Sequence, residues 1–183
     1  VNNIWKTLTN APAAAGSGAA LISTDSNTIY AFRGAATNTF WKYTISSGIW
    51  TAMATAPTTV EEGGSLAYPG SGNLVYAFGG NSTTGFWVYS ISGNTWDSVT
   101  PTAAPATVGG GGSLVSVGGN IFALRGNTSS TFWKYTITNT ATGAGSWVTT
   151  DPTDPTWTSS GSVTSGGSLT TDGTNIYASK GDG

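Results

Sequence analysis

The feature that most constrains this chain is a repeat. Phe40-Trp41-Lys42-Tyr43 returns as Phe86-Trp87-Val88-Tyr89 and as Phe132-Trp133-Lys134-Tyr135, at two steps of 46 residues. Upstream, the run from Ile29 to Gly34 returns as Val75 to Gly80, Ile121 to Gly126 and Ile176 to Gly181, at steps of 46, 46 and 55. Gly-Ser-Leu recurs at Gly64 to Leu66, Gly112 to Leu114 and Gly167 to Leu169, with Gly18-Ala19-Ala20-Leu21 as a looser first copy. A series of tryptophans, Trp5, Trp50, Trp96 and Trp147, forms the fourth marker. Markers that recur in a fixed order at such a period point to units that bury their faces against one another.

Each marker is a short apolar or aromatic stretch bounded by Gly, Asn, Ser or Thr, which is a strand pattern. No segment carries a helical period with caps. One repeat therefore reads as four short strands, opened in turn by Gly-Ser-Leu, Tyr-Ala-Phe, Phe-Trp-Lys-Tyr and the fourth-strand Trp. Such tightly turned strands are antiparallel neighbours. Sheets of this kind at this period predict an all-β fold, a β-propeller of four-stranded antiparallel blades. The expected division is a fourth-strand start over 1–17, repeats over 18–63, 64–110 and 111–165, and a partial repeat over 166–183. Leu21, Leu66, Leu114 and Leu169 are expected at equivalent inner-strand positions, and Trp50, Trp96 and Trp147 in blade packing.

The repeat resembles the kelch-type motif: a Gly-rich first strand, a glycine pair after the second, then a Tyr and a Trp seven apart. Tyr43 and Trp50 have that spacing, as do Tyr89 and Trp96. Gly79-Gly80 is the one intact pair; the other copies read Arg33-Gly34, Arg125-Gly126 and Lys180-Gly181, as in many bacterial surface kelch-like repeats. Tyr135 to Trp147 is 12, so that loop carries five extra residues. The resemblance implies the fold over nearly the whole chain. It does not imply one function, because this fold hosts unrelated activities. It also implies closure of a blade by strands from both termini, with Trp5 supplying a fourth strand. The missing third strand of the last repeat is expected from residues beyond Gly183 or from an adjacent subunit, the latter growing a head-to-tail filament.

Composition removes several classes. Only 8% of residues are charged and net charge is -2, with six Lys and Arg, so no basic field exists for nucleic acid. No apolar run approaches the roughly 20 residues of a membrane helix. The chain has no Cys and no His, which excludes cysteine nucleophiles, imidazole triads and the usual zinc and haem ligation. Copper-radical oxidases with kelch-like propellers need His and a Cys-linked Tyr. No catalytic residue, metal or cofactor is expected. Abundant Thr, Ser, Asn and Gly with little charge suits an extracellular or cell-surface protein.

The candidate ligand-binding residues are Trp157, Arg33, Arg125, Lys180, Asn81 and Asn127. Arg33, Arg125 and Lys180 share one repeat position that Gly79 interrupts; they read as an anion-holding ring round a central channel, or as each closing its own blade through backbone carbonyls or a nearby acid. Trp157 lies outside the repeat, in the proline-stiffened 151–157 stretch, and reads as a contact residue or as a plug between blades. Asn81-Ser82-Thr83 and Asn127-Thr128-Ser129 match the N-glycosylation acceptor pattern at equivalent turns. Glu61-Glu62, the one adjacent acidic pair, reads as a solvated loop. The expected role is a non-catalytic structural, adhesive or filament-forming module whose partners are its own copies or surface proteins. A soluble propeller binding carbohydrate or peptide is the alternative. An enzyme whose catalytic residues lie elsewhere comes third.

Overall fold

The computed structural model describes residues 5–149 and 158–181. β1 (Ala20–Ser23), β2 (Thr28–Phe32), β3 (Phe40–Thr44) and β4 (Ile49–Ala52) form sheet I in that order. β5 (Ser65–Ala67), β6 (Leu74–Phe78), β7 (Phe86–Ser90) and β8 (Thr95–Asp97) form sheet II. β9 (Ser113–Val117), β10 (Asn120–Leu124), β11 (Ser129–Ile137) and β12 (Gly145–Val148) form sheet III, and β13 (Thr158–Val163) pairs with the start of β11. β14 (Ser168–Thr171) and β15 (Ile176–Ser179) make the two-stranded sheet IV. All pairings are antiparallel, and the described residues hold no helix.

The register repeats with the sequence. Leu21 faces Ala31, Leu66 faces Ala77, Leu114 faces Ala123 and Leu169 faces Ala178. The four leucines are therefore equivalent, and all four line one hollow between β1, β5, β9 and β14. Tyr43 faces Trp50, Tyr89 faces Trp96 and Tyr135 faces Trp147. The five extra residues of sheet III leave that register intact. They form a loop folded on itself, in which the Tyr135 hydroxyl donates to the Gly143 carbonyl at 2.9 Å.

Alternation along each strand sends successive side chains to opposite faces, so each central sheet is apolar on both. One face of sheet II (Leu66, Val75, Ala77, Trp87, Tyr89) packs on Tyr30, Phe32 and Phe40 of sheet I. The other (Tyr76, Phe78, Phe86, Val88) packs on Leu114, Ile121, Ala123, Trp133 and Tyr135 of sheet III. The two seams use the same ring geometry. Trp96 stacks on Phe32 at 5.6 Å and meets Phe40 edge-on at 4.9 Å. Trp147 stacks on Phe78 at 5.9 Å and meets Phe86 edge-on at 4.8 Å. Offset and edge-on rings add roughly 0.5–1.5 kcal/mol per pair beyond area burial.

Among the described residues, 5–19 contain no strand and Trp5 is exposed, so the fourth strand expected around Trp5 is not seen there. A strand needs a neighbour's ladder, and the neighbour expected for it, a third strand beside β15, is not among the described residues, where sheet IV holds β14 and β15 alone. The neighbouring stretch still does the work of an inter-sheet connection, since the Trp50 indole donates to the Thr9 carbonyl at 3.1 Å. β13 is an unexpected addition. The single bridges Thr37–Val60 and Thr83–Val108 have their counterpart in Ser129–Val163, which lengthens there into a strand with a second pair at Thr131–Thr158.

Candidate ligand face

In sheets I and II the turn after the second strand and the connection after the fourth emerge at one end, and in sheet III the turn after the second strand lies at the end where β12 finishes. The first of these turns is built the same way three times. Gly34-Ala35-Ala36, Gly80-Asn81-Ser82 and Gly126-Asn127-Thr128 all have positive φ. The glycine is required there. At Gly80, with φ +67, a Cβ would lie 2.3 Å from the Glu62 carbonyl oxygen and 2.6 Å from the Gly64 nitrogen. Asn is among the few residues that tolerate the next, left-handed position, which gives Asn81 and Asn127 a conformational reason to be where they are. Their backbone amides donate to the Glu62 and Gly110 carbonyls. Both side chains are exposed. That of Asn81 has no hydrogen bond among the described residues, whereas the Asn127 amide donates to the Thr107 hydroxyl at 3.4 Å.

The backbone of the four equivalent positions makes one repeated bond. The carbonyls of Arg33, Gly79, Arg125 and Lys180 accept from the amides of Gly16, Glu61, Gly109 and Thr164. The side chains then diverge. Arg33 Nε donates to the Ala14 carbonyl at 3.1 Å, and Arg125 Nε to the Thr107 carbonyl at 3.0 Å. Lys180 is exposed, and its ammonium has no hydrogen bond or ion pair among the described residues. Arg33 and Arg125 thus brace the connections that enter their own units, and Gly79 interrupts the series. Trp157 lies outside the described residues.

Other recurring polar groups also reach from unit to unit. The indoles of Trp96 and Trp147 donate to the carbonyls of Ala54 and Thr102, each at 2.9 Å, as Trp50 does to Thr9. Ser65 and Ser113 of the Gly-Ser-Leu marker accept from the amides of Leu114 and Leu169, at 2.9 and 3.0 Å, tying β5 to β9 and β9 to β14. These partners are main-chain carbonyls and amides of distant residues, which leave no mark in sequence. Only the spacing of the donors could have suggested them.

Two hollows open among these joints. One, of about 330 Å³, is lined by β1, β5, β9 and β14. The other is a polar cup of about 180 Å³ at the end where the positive-φ turns emerge, bounded by Glu62, Gly110, Asn127, Thr128, Thr164 and Ser165. Glu62 is exposed, and its carboxylate has no hydrogen bond or ion pair among the described residues. Sequence reading passed over this cup because it gathers four separate stretches. The described residues contain no group of His, Cys, Asp or Glu able to hold a metal ion, and no helix long and apolar enough to cross a membrane. The shifted ionisations are structural. Burial pushes the hydroxyls of Tyr76 and Tyr89, at the two seams, well above the ordinary tyrosine range.

No protein-family model matches the chain, and no curated protein sequence matches it. Solved structures do resemble it. One, described as "Structure of YjhT", is 20% identical with a TM-score of 0.54, over 68% of this chain and 36% of that one. Another, from "Crystal Structure of Mitotic Checkpoint Complex", is 14% identical with a TM-score of 0.57, over 88% of this chain and 47% of that one. The chain therefore spans between a third and a half of the length of these structures. At such identities the likeness carries the fold alone: a propeller-like, all-β repeat.

Proposed function

We propose that this chain is a kelch-like β-propeller module acting outside the cell or at its surface, where it holds or assembles rather than catalyses. One observation carries the reading. The repeated groups that could do chemistry are occupied in joining units: the indoles of Trp50, Trp96 and Trp147, the Nε atoms of Arg33 and Arg125, and the hydroxyls of Ser65 and Ser113. A repeat whose recurring polar groups act as joints is a scaffold, and its function lies in what its loops present. The side-by-side inner strands β1, β5, β9 and β14 support blades about an axis. The Tyr-to-Trp spacing and Gly79-Gly80 support the kelch type. The scarcity of charge favours association with further copies or with surface proteins, since little like-charge repulsion opposes it.

A carbohydrate- or peptide-binding role is the second reading. It is favoured by the ligand end, whose turns at 35–39, 81–85 and 127–131 are made of Thr, Ser, Asn, Ala and Gly. Sedimentation across a wide concentration range, with adhesion of chain-coated beads to cells and glycans, tests both. Concentration-dependent assembly or bead retention is expected. A concentration-independent monomer whose beads are never retained would contradict both readings.

A further inference from the structure

The four units place an equivalent residue at the corner of the turn that enters the inner strand: Ser17, Glu62, Gly110 and Ser165, each just before a positive-φ glycine. Three of these carry side chains and one does not. Gly110 is the bare position, and the polar cup stands over it. A Cβ placed on Gly110 would come within 2.8 Å of the Ser165 hydroxyl oxygen and 3.2 Å of Glu62 Oε2. The corner side chains on either side thus lean over the gap left by the missing one. Asn127 and Thr128 of the adjoining turn complete the rim. At the preceding corner, the equivalent space belongs to Glu62 itself.

We propose that the cup over Gly110, walled by Glu62, Asn127, Thr128 and Ser165, is a subsite for a vicinal diol of a sugar ring. The proposal rests on the carbohydrate-binding reading above and assigns it a place. A free carboxylate offers two acceptor oxygens side by side, suited to two adjacent hydroxyl donors, and such charge-assisted bonds are the stronger kind. The Asn127 amide both donates and accepts, and the two hydroxyls rotate to suit. A calcium ion is a poorer occupant, because it takes about six to eight oxygens and usually several carboxylates, and the cup has one. An ammonium group is also poorer. It would lean on Glu62 alone for charge, and an exposed ion pair holds weakly.

The test is an amide NMR titration of the full chain with methyl α-mannopyranoside and methyl β-galactopyranoside, with n-propylammonium as the competing probe. Saturable shifts at Gly110, Asn127, Thr128 and Ser165 with at least one sugar are expected. Glu62→Gln should weaken that binding by roughly tenfold, by loss of the charge-assisted bonds. Gly110→Val should abolish it. Gly110 has no positive φ, and a Cβ there meets only the tips of side chains, so this variant should keep the wild-type unfolding midpoint. Sugar shifts elsewhere that survive Gly110→Val would overturn the cup and leave the carbohydrate reading standing. Shifts with propylammonium alone, or none with either sugar, would overturn the cup and leave the assembly reading standing.

Discussion

Tyr76 and Tyr177 occupy the same place in the repeat, one in β6 and one in β15, and they live in opposite surroundings. Tyr76 is 1% exposed and Tyr177 is 54% exposed. Their neighbours follow suit: every residue of β6 is buried, while β15 is exposed at three of its four positions. The local sequences, Leu-Val-Tyr-Ala-Phe and Ile-Tyr-Ala-Ser, both make strands in the same register with a Gly-Ser-Leu strand. The difference lies in what packs on them. Sheet II has a sheet on either side, whereas sheet IV, among the described residues, has sheet III on one side only. Strand formation is thus encoded within the unit and burial between units, as expected of a repeat array whose stability is a sum of units and seams.

The largest effect should come from emptying a seam. Phe86 is fully buried between sheets II and III, against Tyr135 and Trp147 at 4.8 Å each. Phe86→Ala should lower stability by about 3–5 kcal/mol, read from the urea midpoint, while Tyr177→Ala should stay within roughly 0.5 kcal/mol. Equal losses would erase the contrast.

A smaller effect should come from the turn that fits one unit's backbone against its own entry strand. Gly80→Ala would force a Cβ against the Glu62 carbonyl at positive φ and should cost roughly 1–3 kcal/mol. Removing one joint without emptying its pocket is milder. Trp96→Phe keeps a ring at the seam and loses the bond to Ala54, for about 1 kcal/mol in thermal unfolding.

Acid and alkali should act on the two regions through different groups. In the β14–β15 turn, Asp172 accepts from the backbone amides of Asn175 and Thr174 and from the side chains of Asn175 and Tyr177, which holds its carboxyl well below the usual range. A depressed carboxyl stabilises the fold above its unfolded pKa, near 4. That support is lost as pH falls towards the folded value, so acid should loosen the β14–β15 turn, seen in faster exchange at Thr174 and Asn175. Burial raises Tyr76 and Tyr89. Their contribution is whole below about pH 10 and is lost as pH rises beyond it, so alkali should open the seams, seen in near-ultraviolet circular dichroism.

What was legible in the sequence was whatever the unit encodes locally. Alternation and turn residues gave the strands. Matched spacing made Leu21, Leu66, Leu114 and Leu169 equivalent, because register follows from loop length and period. The joints were less legible. The Arg33 and Arg125 partners are carbonyls of Ala14 and Thr107, and any residue could supply a carbonyl. The extension of the Ser129–Val163 bridge into β13 falls in the step of 55, where the period that guided the reading breaks. The cup depended on comparing Ser17, Glu62, Gly110 and Ser165 across four turns, where the informative residue is the one with no side chain.

Native-state hydrogen exchange of the full chain tests the division between unit and seam most directly, by comparing Tyr76 and Ala77 in β6 with Tyr177 and Ala178 in β15. If burial comes from the seams, the β6 amides exchange only with global unfolding while the β15 amides exchange through local opening, orders of magnitude faster. Equal protection of the two strands would contradict the account, because it would mean that sheet IV is held as firmly as the sheets packed on both faces.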